Sequence, residues 1–169
     1  MSKSSDLGSR NKNSSEELGF FPPTNVMVGI DGSDNAERAL QVSIALSKAF
    51  AAKLFIITVT PRDRIDLGSG FPGSTSSVQK YNEEMDRRSE NLLERSLDAA
   101  RKAGLSNVEI EAIPEFQSVP KQLLELAQSK KIGLIILGTR GLGGFKRLVL
   151  GSVSSAVVGH AECNVMIIR

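Results

Sequence analysis

The chain has 169 residues, 40% hydrophobic and 24% charged, with a formal net charge of +2. That is one domain's worth of chain, long enough to bury a sizeable core, and 21 Lys+Arg against 19 Asp+Glu exclude the global basic field of a nucleic-acid binder. One cysteine and one histidine exclude an internal disulfide and a structural zinc site. No stretch approaches the roughly 20 apolar residues of a membrane span, and no apolar h-region stands near the N-terminus. A cytoplasmic, reducing setting is therefore expected.

Residues 1–24 are rich in Ser, Asn and balanced charge and close on Phe20-Phe21-Pro22-Pro23. They read as a disordered N-terminal extension, with the two phenylalanines either loose or docked on the domain. Residues 25–169 then alternate regularly. Val26 to Ile30 is a short, apolar, β-branched run that stops at Asp31-Gly32-Ser33, the pattern of a buried strand and a turn. Ser33 or Asp34 caps a helix that runs to about Ala51, with Ala39, Val42, Leu46 and Phe50 on one face. Leu54 to Thr60 is the second strand, stopped by Pro61; Arg62 to Ser77 reads as a long loop. A long helix is expected over Val78 to Ala103, closed by Gly104, with Tyr81 and Met85 on its packing face. Val108 to Ile113 is the third strand. Val119 to Lys130 is a helix with Leu123, Leu124 and Ala127 inward, and Ile132 to Leu137 is an apolar fourth strand. Ser152 to His160 is the last helix and Val165 to Ile168 the fifth strand.

Strands alternating with helices predict an α/β fold, a three-layer α/β/α sandwich around a five-stranded parallel sheet. With strand order 3-2-1-4-5 the order reverses between strands 1 and 4, where open sheets of this type bind ligands. Those strands end at Asp31 and Gly138.

Gly138 to Ala156 holds five glycines, three basic residues and no acid. Glycines permit positive φ and let backbone N–H groups approach a ligand, and successive N–H groups can form an anion nest. Gly151-Ser152 opens a helix whose first N–H groups lack internal partners. Between Leu126 and Ala161 there is no Asp or Glu, against Lys130, Lys131, Arg140, Lys146 and Arg147. An anion, phosphate above all, is the expected ligand; the plain alternative is a flexible crossover. No Gly-Lys-Ser/Thr is present, so this is not a Walker-type loop, and Gly29-Ile30-Asp31-Gly32-Ser33 is not a dinucleotide fingerprint. Ile113-Pro114 stands where a response regulator needs its acceptor Asp.

The spacing Gly138-x2-Gly141-x9-Gly151-Ser152 resembles the G-2x-G-9x-G-(S/T) signature of the universal stress protein family, in its ATP-binding branch. The openings "NVMVGIDGSDNAERAL" and "LFIITVTP" and the close "SVSSAVVGHAECNVMIIR" extend the resemblance over residues 25 to 169, as one universal stress protein domain. The resemblance implies an adenine nucleotide alpha hydrolase-like fold and ATP, with a divalent metal (Mg or Mn) on its phosphates. Gly29 and Asp31 would border the adenosine, and Asp31 would help hold the metal. Val59 would present backbone groups to the adenine edge. Gly138, Thr139, Arg140, Gly141, Leu142, Gly143 and Gly144 would wrap ribose and phosphates. Gly151, Ser152, Val153 and Ser154 would bind phosphates. It also implies a homodimer through the Val165–Ile168 edge strand, which has its own physical ground, since an apolar edge needs cover. Asn164 departs from the family pattern, where proline is common.

Asp31 has a second reading as a turn-forming Asx residue. Arg140 pairs with phosphate or is a solvated loop charge, Lys146 and Arg147 read as a solvated rim, and His160 reads as a helix-end residue. Cys163 reads as a small buried residue. No P-loop lysine exists and Asp31 is the one acid near the site, so no catalytic residue is assigned. The expected function is a nucleotide-dependent regulatory or stress-response protein with little or no turnover, which signals to a protein partner. The alternatives are a slow metal-dependent ATPase and a dimeric interaction module without nucleotide.

Overall fold

The computed structural model of the chain describes residues 22–63, 75–142 and 150–169. Its strands are β1 (Asn25–Gly29), β2 (Lys53–Thr60), β3 (Val108–Pro114), β4 (Leu134–Gly138) and β5 (Asn164–Ile168). They form one parallel sheet in the order β3-β2-β1-β4-β5, as expected. The helices are α1 (Asp34–Phe50), α2 (Thr75–Lys102), α3 (Val119–Ser129) and α4 (Ser152–His160).

The three inner strands carry the continuous apolar runs because both of their faces are covered. Val26, Val28, Leu54, Ile56, Leu134 and Ile136 face α1 and α2 on one side. Met27, Phe55, Ile57, Ile135 and Leu137 face α3 and α4 on the other. Strand geometry turns alternate side chains to opposite faces, which produces the three layers. The outer strands β3 and β5 are only half-buried.

The buried face of α1 is Ala36, Ala39, Leu40, Ser43, Ile44 and Ser47. Of the expected stripe only Ala39 lies in it; Val42, Leu46 and Phe50 are half-buried at its flank. Small side chains let the helix axis come close to the sheet, so the centre of the contact is taken by Ala and Ser rather than by the bulkiest residues. Ser33 caps this helix, accepting the Ala36 N–H at 3.3 Å. Helix α2 begins at Thr75, so the last three residues assigned to the preceding loop are helical. Its first turn is polar and Ser76 and Ser77 are exposed, so apolar periodicity carries no trace of it. Gly104 ends it at φ +81, as expected of a C-terminal glycine. Tyr81 is 40% exposed and stands outside the packing face, whereas Met85 is half-buried.

Residues 1–21, with Phe20 and Phe21, lie outside the described residues, as do 64–74 of the expected loop. Pro23 is buried, and the Thr24 carbonyl accepts the Lys53 N–H at 2.9 Å, so the chain is engaged with the sheet just before β1. Among the described residues no helix is long and apolar enough to cross a membrane.

Two ion-pair groups tie the edges. Glu109 on β3 accepts from Lys53 at 2.7 Å and Lys130 at 2.5 Å, and Lys130 also reaches Glu111 at 2.9 Å. Both ammonium groups lie over the Phe55 ring, at 4.8 and 5.2 Å from its centroid. After β2, Arg62 grips Asp86 of α2 with two hydrogen bonds of 2.9 and 2.5 Å. The hydrogen bonds from Lys130 and Lys53 hold the Glu109 carboxyl below its usual range, and the Arg62 guanidinium does the same for Asp86. Depressed folded-state values mean that the stabilisation is complete at neutral pH and lost as pH falls through the carboxylate range, below about 4. Urea midpoints are therefore expected to fall between pH 7 and pH 3, and the fall is expected to be shallower in a Glu109→Gln, Asp86→Asn variant.

Candidate functional site

The sheet reverses its order between β1 and β4, and a cleft of about 560 Å³ opens there beyond their carboxyl ends. Its floor is apolar, with Ile57 and Val59 from β2, Leu137 from β4, and Val119 and Leu123 from α3. The polar groups of the same lining are Asp31, Arg140 and, in the first turn of α4, Ser152 and Ser154. That volume and that division, a broad apolar slab with a few convergent polar groups, are typical of small-molecule sites.

The wall is built by close backbone approach. A β-carbon on Gly29 would lie 2.7 Å from Leu137 Cδ2, and one on Gly138 would lie 2.8 Å from the carbonyl carbon and Cβ of Asn35. A β-carbon on Gly141 would overlap the Asp31 carboxylate. At Gly151 it would sit 3.3 Å from the Thr139 carbonyl oxygen, whose own hydrogen bond from the Gly151 N–H is 2.7 Å long. None of Gly138, Gly141 and Gly151 has a positive φ; Gly32, in the turn after β1, does, at +83°. At these three positions the need for glycine is therefore closeness rather than the left-handed backbone that the composition suggested.

Asp31 ties the two strand ends together. Its Oδ1 accepts the Ser33 N–H at 3.0 Å, the Asx turn, and its Oδ2 accepts the Leu142 N–H at 2.9 Å. The Arg140 carbonyl in turn accepts from Ser33 Oγ and Asn35 Nδ2, both at 3.4 Å. The buried Thr139 donates its N–H to the Ile168 carbonyl at 2.7 Å, and Ser154 Oγ donates to the Gly138 carbonyl at 2.7 Å. The Ser154 hydroxyl thus holds the β4 exit, while Ser152 is exposed on the cleft wall.

Gly151 is the N-cap of α4 and, having no side chain, cannot cap it. The leading N–H groups of the helix and the positive end of its dipole are left for an anion. Arg140 is half-buried in the same wall. Among the described residues Asp31 is the sole acid lining the cleft.

Gly29, Asp31, Val59, Gly138, Arg140, Gly141, Leu142, Gly151, Ser152, Val153 and Ser154 thus share one cleft, and Thr139 stands directly behind it. Gly143 and Gly144 lie outside the described residues, as do Lys146 and Arg147. Sequence reasoning missed Ile57, Val119 and Leu123. Leu123 carried a signal, since its inward face on α3 and the right-handed crossover put it above β2 and β4. His160 is exposed, away from this cleft, with Nδ1 2.8 Å from the Ala156 carbonyl one turn back. Cys163 is half-buried, and burial pushes its thiol up. Among the described residues no three His, Cys, Asp or Glu side chains gather to hold a metal by themselves.

The sequence profile of the universal stress protein family matches residues 23–169. A protein of Staphylococcus haemolyticus named as a universal stress protein is 34% identical over 151 residues, covering 86% of this chain and 84% of its own. Among solved structures, the universal stress protein UspA of Lactobacillus plantarum is 24% identical, covers 86% of this chain and 97% of its own, and superposes with a TM-score of 0.74. A universal stress protein solved in complex with cAMP is 26% identical, covers 87% and 97%, and has a TM-score of 0.65. With the profile spanning the whole sheet and every helix around it, the chain belongs to the universal stress protein family.

Proposed function

We propose that the cleft binds ATP and that the protein is a nucleotide-dependent regulatory or stress-response protein with little or no turnover. The observation that carries this reading is the meeting of two unlike surfaces across one cleft. An apolar slab fit for a planar base faces the uncapped N-terminus of α4, fit for phosphates. In this reading the base lies on Ile57, Val119 and Leu123, with its polar edge toward the Val59 backbone. Gly29 and Asp31 border the ribose. Gly138 to Leu142, continued by Gly143 and Gly144, wrap ribose and phosphates, and Ser152, Val153 and Ser154 offer N–H groups to the phosphates beside Gly151, whose own N–H is held by the Thr139 carbonyl. Binding of cAMP by a 26% identical relative supports an adenine nucleotide. The choice of ATP rests on the resemblance to the ATP-binding branch of the family, not on the residues themselves.

A divalent metal fits only as a companion of the phosphates. Among the described residues Asp31 is the one carboxylate lining the cleft, each of its oxygens accepts one N–H and keeps a spare lone pair, and no second protein ligand stands beside it. Bound there, Mg²⁺ or Mn²⁺ would neutralise phosphate charge. Among the described residues Asp31 is the one acid lining the cleft, and the sequence has no P-loop lysine, which is why slow or absent turnover is proposed. The half-buried β5 edge, Val165 to Ile168, is proposed to pair with its copy in a homodimer, in the cytoplasm, with the loaded state read by a protein partner.

Titration of magnesium-ATP into nucleotide-free protein is expected to show one site per chain. Gly151→Val is expected to weaken it at least about tenfold, about 1.4 kcal/mol. Absent binding, or equal binding by the variant, would remove the reading. Arg140→Ala is expected to weaken ATP severalfold and leave adenosine unchanged, checked by the same titration. Multiple-turnover phosphate release that is lost in Asp31→Asn would instead assign a slow ATPase.

A further inference from the structure

A second cleft, of about 520 Å³, lies at the opposite end of the sheet, at the amino ends of β1, β4 and β5. The apolar part of its lining is Leu124 and Ala127 from α3, Ile132 and Ile135 from the entry to β4, Cys163 from the turn before β5, and Pro23, with Glu125 and Glu162 among the polar residues beside them. It shares no lining residue with the nucleotide cleft. Lys121 and Lys131 also line it, both exposed.

The chain supplies an occupant. Twenty-one residues precede the described part, and they enter it at this cleft, since Pro23 is buried in its wall. Phe20 and Phe21 are the sole aromatics of that polar segment and stand next to Pro22-Pro23. A proline pair holds an extended backbone of about 3.1 Å per residue, so both rings leave the chain within about 10 Å of the wall. Aromatic rings bury large apolar areas. A tether this short gives them an effective concentration in the millimolar range or above, ahead of most free competitors.

We propose that this cleft is the docking site of the chain's own N-terminal segment, with Phe20 and Phe21 seated against Leu124, Ile132 and Cys163. The segment then covers an apolar surface that would otherwise be open, on the end of the molecule away from the nucleotide cleft.

Cys163 is the only thiol of the chain and lies in the cleft, so it reports on the cover. The test is the rate of its reaction with Ellman's reagent in the full chain at fixed pH. Phe20→Ser/Phe21→Ser is expected to react at least about fivefold faster than the native chain, the scale of a cover held by ~1 kcal/mol. Deletion of residues 1–19, which keeps both phenylalanines, is expected to react at the native rate. Circular dichroism checks that each variant is folded, and the deletion variant decides the matter where the double variant is not. Equal rates in the native chain and the double variant would overturn the proposal. So would a deletion variant as reactive as the double variant. Native protection that grows with protein concentration would also overturn it, by assigning the cover to a second copy.

Discussion

Two backbone segments, the exit of β4 and the start of α1, must touch, and the rest of the site depends on that contact. A β-carbon on Gly138 would stand 2.8 Å from Asn35, closer than any side chain tolerates. At Gly29 and Gly141 a β-carbon would instead meet the ends of the Leu137 and Asp31 side chains, which can turn aside only by leaving their present places. β1 and β4 are neighbours in register, Val26 with Leu134 through Val28 with Ile136, so their exits leave side by side. One chain must then turn up into α1 while the other runs on to α4. Only bare backbone lets both do so without parting the strands. The cleft is what lies in front of that junction.

Asp31 makes the junction one object. One carboxylate oxygen shapes the turn into α1 and the other catches the Leu142 amide 111 residues later. Ser154 fastens the far side by bonding the Gly138 carbonyl. A ligand in the cleft therefore meets backbone donors that are already positioned, which lowers the ordering cost of binding.

Much of this is legible in the sequence because it rests on long apolar runs and on glycine spacing. The inner strands are nearly all apolar, so β1, β2 and β4 are placed to within a residue or two, and strand–helix alternation leaves few possible strand orders. What escaped depends on closeness rather than on apolar character. The centre of the α1 contact is Ala36, Ser43 and Ser47, residues a search for bulky apolar positions passes over. The polar first turn of α2 has no periodicity to read. The glycines look alike in sequence whether they serve a left-handed turn, as Gly32 does, or a close approach, as Gly138 does. Val119 and Leu123 look like ordinary core positions, and only the crossing of α3 over the sheet makes them the floor of the cleft.

The central claim is that an adenine nucleotide occupies this particular cleft, and amide chemical shifts recorded while ATP is added test it by location. The account predicts saturable changes gathered at Gly29–Asp31, Val59, Gly138–Leu142 and Gly151–Ser154, with the amides of Ile132 to Gly133 and Ala161 to Cys163 still. Changes confined to the second cleft, or none at saturating ATP, would contradict it.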